Sequence, residues 1–269
     1  MAQLYIIKIG GNIIDDETKL SSFLKDFAGI EENKILVHGG GKLATSLAER
    51  LNIPQQIVDG RRITDVETLK IVTMVYAGYV NKNIVAELQA NNCNALGLCG
   101  ADGDSILAHK RKHSVMDYGF VGDIDAINAD MIKNLLEKNI TLVFAPITHN
   151  QQGQLLNTNA DTIAQELAKG LSMVYDVSLI YSFEKAGVLL NVNDESSVIK
   201  KLNWEEYQEL KAPANSSSGD GGKIFAGMIP KLDNAFAAIS SGVKKVIIGK
   251  AEFLNELIAG TAGTSIHHE

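Results

Sequence analysis

The run Leu4-Tyr5-Ile6-Ile7-Lys8-Ile9-Gly10-Gly11-Asn12 constrains the fold more than any other stretch. Near-continuous apolar residues closed by glycine describe a strand buried on both faces of a parallel sheet. A lysine inside such a strand is costly unless it sits at the exposed end. Lys8 then either points at something anionic, with Gly10-Gly11 letting the backbone and its N–H groups approach closely, or it is a solvated lysine at an ordinary strand-to-loop turn. The stretch alone leaves both readings open.

The pattern returns downstream. Leu20, Phe23, Leu24 and Phe27 have helical spacing within Asp15 to Ala28, Ile35-Leu36-Val37-His38 reads as a second buried strand, and Gly39-Gly40-Gly41 opens a helix from about Lys42 to Leu51. Strand, helix, strand, helix predicts an α/β fold with a parallel sheet and right-handed crossovers. Ligands in such sheets bind beyond the carboxyl ends of the strands, where both glycine clusters fall.

Composition sets the class. With 269 residues, 45% hydrophobic and 21% charged, the chain has the make-up of an ordinary globular protein. Its apolar runs stop well short of the roughly 18 residues needed to cross a bilayer, and no signal-type segment opens it, which predicts a cytoplasmic protein without a membrane partner. Two cysteines, Cys93 and Cys99, are too few for a disulfide framework and match no zinc spacing with the histidines, so they read as core residues and no metal-ligating set is assigned. A net charge of −7 argues against nucleic acid. An anionic substrate would need positive charge gathered locally.

His38 to Ala44 admits several readings. Gly39-x-Gly41-x-x-Ala44, with Asp59 downstream, is a loose dinucleotide fingerprint on the wrong strand. His38-Gly39-Gly40-Gly41 looks like a hydrolase oxyanion loop, but the chain has no Gly-x-Ser-x-Gly elbow, and a Walker loop fails because leucine follows Lys42. A phosphate- or carboxylate-binding loop at a helix N-terminus survives.

Further along, Gln55 to Val58 suggests a short strand leading to Gly60-Arg61-Arg62-Ile63-Thr64-Asp65, where Thr64 or Asp65 can cap a helix from Val66 towards Asn91. One of the two arginines can present its fork to a carboxylate. Asn94 to Cys99 reads as a strand, Gly100 to Asp104 as a turn into a hairpin, and the basic tip His109-Lys110-Arg111-Lys112-His113 as a solvated loop. Asn128 to Lys138 is amphipathic and Ile140 to Ala145 is a buried strand. In Leu155-Leu156-Asn157-Thr158-Asn159-Ala160-Asp161, three polar groups on alternate positions precede a helix through Lys169. Capping needs one of them, not three. From Ser172 the rhythm restarts, with a strand to Tyr181, a helix near Trp204 to Leu210, a flexible Ala214–Gly222 loop, a helix from Gly227-Met228-Ile229-Pro230-Lys231 to about Ser241, a strand at Lys244 to Ile248, an edge strand at Gly263 to Ile266, and a frayed tail at His267-His268. Lys231 sits against the dipole preference of a helix N-terminus, which suggests an anion to clamp.

Lys8-Ile9-Gly10-Gly11, His38-Gly39-Gly40-Gly41, Asp59-Gly60-Arg61-Arg62-Ile63-Thr64, Asn157-Thr158-Asn159-Ala160-Asp161 and Gly227-Met228-Ile229-Pro230-Lys231 together resemble, in order and spacing, the amino acid kinase family. The resemblance runs from residue 3 to about 266. It implies a three-layer αβα sandwich around a largely parallel central sheet of about eight strands. Residues 1–171 would bind an N-acylglutamate and form a homodimer, and residues 172–269 would bind ATP. The implied reaction is ATP-dependent phosphorylation of the γ-carboxylate of N-acetyl-L-glutamate, or a related N-acylglutamate, to an acyl phosphate in arginine biosynthesis.

The resemblance also implies roles. Lys8 and Lys231 would flank the moving phosphoryl group, with Asp161 orienting both. Gly10, Gly11, Gly39 and Gly40 would offer N–H groups, Arg62 and Asn157 would hold the α-carboxylate, and Asn159 would support the adjoining loop. Ser182, Glu184, Gly187, Gly227 and Met228 would contact the nucleotide, with Mg²⁺ arriving on ATP. Carbamate, aspartate, glutamate 5- or uridylate kinases would share Lys8 and the glycine loops, whereas Arg62 with Asn157-x-Asn159-x-Asp161 favours an acylglutamate. A non-catalytic sensor or a nicotinamide-dependent oxidoreductase are readings from other classes. Phe183 and Glu184 stand where the family commonly has a small hydroxyl residue and an aspartate. The chain also starts almost at its first strand, without the N-terminal helix of arginine-inhibited hexameric relatives, so the expectation is a dimer whose activity millimolar arginine leaves unchanged.

Overall fold

The computed structural model describes residues 1–58, 61–191, 193–211 and 228–267. Asp59, Gly60, the Ala214–Gly222 loop, Gly227 and His268 lie outside the described residues. The strands are β1 (Gln3–Ile9), β2 (Asn33–Val37), β3 (Gln56–Val58), β4 (Arg61–Ile63), β5 (Ala95–Leu98), β6 (Ile106–Lys110), β7 (Gly122–Ile127), β8 (Thr141–Phe144), β9 (Ile147–His149), β10 (Leu155–Asn157), β11 (Asp176–Phe183), β12 (Lys201–Leu202), β13 (Lys245–Lys250) and β14 (Thr264–Ile266). Eight of them form one sheet in the order β12-β14-β13-β11-β1-β2-β8-β5. From β13 through β5 every pairing is parallel, and only β14 runs antiparallel to its neighbour β13.

The alternation of side chains along β1 builds the layers. Leu4 and Ile6 fall on one face, in a core with Ile163, Leu167 and Leu171 of the helix Ala160–Leu171 and Leu232 and Phe236 of the helix Ile229–Ser240. Ile7 and Ile9 fall on the other, packed with Phe23, Leu24 and Phe27 of the helix Glu17–Ala28 and with Ile84 and Leu88. A period of two puts Lys8 on the Leu4 and Ile6 face. The lysine therefore emerges at the last position of that face, towards the helix that begins at Ala160.

The fold is the expected αβα sandwich, with local differences. The stretch Val66 to Ala90 is helical throughout, capped by Asp65, which accepts from Thr68 N at 2.7 Å, but Thr73–Val80 is π-helical. That wider turn puts the Tyr76 ring against Gly40. The Leu155 approach is a strand, β10, paired antiparallel with β9, and β4 pairs back onto β3. Thr264–Ile266 is not the sheet edge, because β12 pairs outside it. His267 is not frayed: its N–H donates to Leu202 O at 3.1 Å.

Candidate active site

Both glycine turns open into one cleft of about 720 Å³ at the carboxyl ends of β1 and β2, shared with Arg62, Asn157, Asn159, Asp161 and Lys231. That size suits small-molecule binding. Of the charged residues lining it, Lys8, Lys42, Arg62, Arg111 and Lys231 outnumber Asp161, Glu49 and Glu184. A chain of net charge −7 thus gathers positive charge where an anion would sit.

Asp161 is the centre of the arrangement. Its Oδ1 lies 2.8 Å from Lys8 Nζ and its Oδ2 lies 2.8 Å from Lys231 Nζ, so one carboxylate holds two ammonium groups from opposite ends of the sequence. Asn159 does the capping: its Oδ1 accepts from Asp161 N at 2.8 Å and Thr162 N at 3.2 Å. That division explains why capping alone does not account for the Asn157-x-Asn159-x-Asp161 pattern. The side chains of Lys8, Asp161 and Lys231 are 12%, 15% and 21% exposed, enough burial for their charges to perturb one another. Burial pushes the Lys8 ammonium below the ordinary lysine range, with Lys231 adding to the shift and Asp161 opposing it. Burial alone would push Asp161 up, but Lys8 and Lys231 overcome it and hold the carboxyl well below the usual carboxylate range. Asp161 is therefore an anion throughout the neutral range, unsuited to carrying a proton.

The glycine loops differ in what they can donate. Gly10 lines the cleft, but its N–H donates to Ser182 O at 3.2 Å and is not free for an anion, unlike the expectation that it offers that group. Gly11 opens the short helix Gly11–Ile14, and Gly39 and Gly40 precede the helix Gly41–Arg50. The N–H groups of Gly11, Gly39 and Gly40 have no hydrogen-bond partner among the described residues, leaving helix-terminal donors for an anion.

Buried His38 sets the second loop. Asn81 Nδ2 donates to His38 Nε2 at 3.1 Å and to Val143 O at 3.0 Å, which leaves the ring proton on Nδ1, 2.8 Å from Gly39 O. Burial lowers the His38 pKa to about 4, so the neutral ring fixes the loop without adding charge. Gly40 sits at φ +147°, and a Cβ there would stand 2.9 Å from Tyr76 Cδ1. Gly40→Ala should therefore cost about 1–3 kcal/mol of stability and lower turnover with it, measurable as a fall in thermal midpoint beside the assay. An unshifted midpoint would mean the loop tolerates a side chain.

Arg62 is held rigidly: Nη1 donates to Gln55 Oε1, and Nη2 donates to Gly41 O at 3.0 Å and Thr45 Oγ1 at 2.8 Å. The Tyr118–Val121 segment brings it beside Asn157. Phe120 N donates to Thr64 O at 2.6 Å, Asn157 N donates to Phe120 O at 2.8 Å, and Asn157 Nδ2 donates to Thr64 Oγ1 at 3.0 Å. Glu184 also lines the cleft and accepts from Asn12 Nδ2.

Three further nucleotide candidates, Ser182, Gly187 and Met228, do not line this cleft among the described residues. Ser182 is 1% exposed in β11, Met228 is 7% exposed in the core, and a Cβ on Gly187 would meet Thr264 Oγ1 at 2.7 Å. Conversely, Arg111 is not part of a solvated tip. Its side chain is 14% exposed, paired with Asp123, and lines the cleft.

Residues 3–250 match the model of the Amino acid kinase family. Acetylglutamate kinase of Cytophaga hutchinsonii is 55% identical over 99% of both chains, and acetylglutamate kinase of Bacteroides fragilis is 51% identical over 94% of both. A crystal structure of a Streptococcus mutans protein superposes with a TM-score of 0.78 at 26% identity, covering 99% of both chains.

Proposed function

The chain belongs to the amino acid kinase family, and we propose that it transfers the γ-phosphoryl group of ATP to the side-chain carboxylate of N-acetyl-L-glutamate. The observation that carries this reading is Asp161 holding Lys8 and Lys231 at 2.8 Å each across a cleft edged by free glycine N–H groups. Both reactants are anions, so catalysis has to align them and neutralise charge on the group in flight. Lys8 and Lys231 supply that charge from two sides, and Asp161 fixes the distance between them. The acceptor carboxylate is already ionised and needs no base. The free amides of Gly11, Gly39 and Gly40 suit developing charge on oxygen, because donors fixed before the reaction need not reorganise during it.

The charge and the N–H groups of Arg62 not spent on Gln55, Gly41 and Thr45, together with the amide of Asn157, take the α-carboxylate, with Asn159 acting through its cap on the helix that carries Asp161. Residues 1–171 hold the acceptor and 172–269 the nucleotide, with Glu184 contributing at the junction. Among the described residues no group of three or more His, Cys, Asp or Glu side chains is arranged for a metal, and Asp161 is committed to its lysines. A Mg²⁺ accompanying ATP would accordingly be held by the phosphates.

No helix among the described residues is long and apolar enough to cross a membrane, in keeping with a cytoplasmic enzyme. Met74 and Tyr79, 53% and 63% exposed on one helix, offer an apolar surface for the second copy in a homodimer. A coupled assay of ADP release with N-acetylglutamate, and with glutamate, aspartate and carbamate as controls, tests the reaction. Saturable turnover with the acetylated acceptor is expected. Ligand binding without turnover would instead indicate a sensor, and light scattering on the same preparation reads the dimer.

A further inference from the structure

The helix that carries Lys231 is gripped from behind. Met228, at the N-cap of Ile229–Ser240, has no side-chain oxygen to cap it, and a lysine in the first turn opposes the helix dipole. That first turn has to keep Lys231 Nζ 2.8 Å from Asp161 Oδ2. The grip comes from the helix Trp204–Lys211. Tyr207 of that helix is fully buried, its ring stacked on Phe236 with centroids 5.1 Å apart. Its hydroxyl donates to Asp233 Oδ1 at 2.7 Å and lies 3.4 Å from Ile229 O. Ile229, Asp233 and Phe236, spaced by four and three, form one stripe of their helix. Lys231, two positions before Asp233, points about 160° away from it, on the side of Asp161.

Resting on the reaction proposed above, we infer that Tyr207 is a positioning residue for phosphoryl transfer, fixing through Asp233 the helical turn from which Lys231 reaches the group in flight. It acts at one remove, since neither Tyr207 nor Asp233 lines the cleft among the described residues. Two features fit that role. Burial, then Asp233, pushes the Tyr207 hydroxyl above the ordinary tyrosine range, so it stays protonated and donating wherever the reaction is measured. The second partner of Asp233 cannot replace it. Lys211 Nζ also donates to Asp233 Oδ1, at 2.8 Å, but that pair is 37% and 46% exposed, and an ion pair in solvent fixes little. The buried ring and its hydroxyl are what hold the turn, and a small displacement of a group aligned for transfer is costly in rate.

The test is Tyr207→Phe, which keeps the stacked ring and removes the hydroxyl, assayed with N-acetylglutamate and ATP well below the thermal midpoint. The expected result is a fall in kcat of about 10-fold with an unchanged KM for N-acetylglutamate, since the acceptor side of the cleft is untouched. Asp233→Leu should reproduce that fall. The double variant should be no worse than either single one, because both remove the same bond. Lys211→Met should leave kcat at the unaltered value. An unchanged kcat beside a lowered thermal midpoint would make Tyr207 a stabilising residue and overturn the assignment. Losses that multiply in the double variant, or an equal fall in Lys211→Met, would overturn it too. Should Tyr207→Phe not fold, Asp233→Leu is read by the same split between kcat and KM. If the unaltered enzyme turned over no N-acetylglutamate, the proposed reaction would fall and this inference with it. Normal turnover by the unaltered enzyme, combined with an unmoved kcat in Tyr207→Phe, would remove only the role of Tyr207.

Discussion

Asp161→Asn should lower kcat by about 10²- to 10³-fold while leaving the fold recognisable. The substitution keeps the shape of the side chain and removes the charge that balances two ammonium groups, each 2.8 Å away. Breaking a buried pair from one side costs about 3–5 kcal/mol, and the lower end applies here because the three side chains keep 12–21% exposure. Lys8, already pushed down by burial and by Lys231, would lose the group that opposes the shift and give up its proton more readily. The catalytic loss therefore exceeds what a displaced lysine would produce, because one of the two charges is weakened as well. Since the Asp161 carboxyl is held below its unfolded value, its contribution to stability is present above the ordinary carboxylate value of about 3.9 and is lost only as pH falls through the lowered one. The Asp161 carboxylate is thus intact across the working range of the unaltered enzyme, and the catalytic deficit of the variant should be larger at pH 8 than at pH 6, because its Lys8 loses its proton more readily. Urea unfolding beside the coupled assay reads both effects. Near-normal kcat with reduced stability would make Asp161 a structural clasp.

What the sequence revealed of this centre depended on how local each signal was. Lys8 stood out because a lysine near the end of an apolar strand has few solutions, but that stretch alone left a solvated lysine equally open, and only the other loops together pointed it at an anion; the two-residue period then fixes which face it takes. Asp161 was readable because three polar residues on alternate positions exceed the needs of one cap. Gly10 lines the cleft as expected of its turn, but its N–H is consumed by Ser182 O, a pairing set by the register between β1 and β11 that no window around Gly10 contains. Ser182, Gly187 and Met228 sit close in sequence to cleft residues, but the sheet and core turn them inward.

Arg111 was hidden by its own composition. Five consecutive basic residues read as a solvated tip, and their alternation is masked when all carry similar side chains. The usable signal lay across the hairpin: Asp123 and Asp125, two apart on one face, pair with Arg111 and His109, opposite charges brought together diagonally across the strands, since the register sets Asp123 opposite His109. The π-turn at Thr73–Val80 left no comparable trace, because an amphipathic helix continues on either side of it.

Lys8→Arg makes the sharpest test of the central lysine, since it keeps the charge and changes its shape. A planar fork cannot occupy the point between Asp161 and the moving phosphoryl group as an ammonium does, so kcat should fall about 10- to 100-fold with little change in KM. The pH profile separates the reasons. In the unaltered enzyme Lys8 is held below the ordinary lysine value by burial and by Lys231, so kcat/KM should decline on the alkaline side below about pH 10.4. Arginine stays protonated there, and in the variant that decline should move beyond the measurable range. Stability moves the other way. Between the lowered pKa of Lys8 and about 10.4 the unfolded chain binds more protons than the folded one, so the contribution of this group to stability rises with pH. Activity lost in that window therefore reports deprotonation of Lys8 rather than unfolding. A variant that keeps the same alkaline decline would assign it to another group, and an effect confined to KM would move Lys8 from the transition state to ground-state binding.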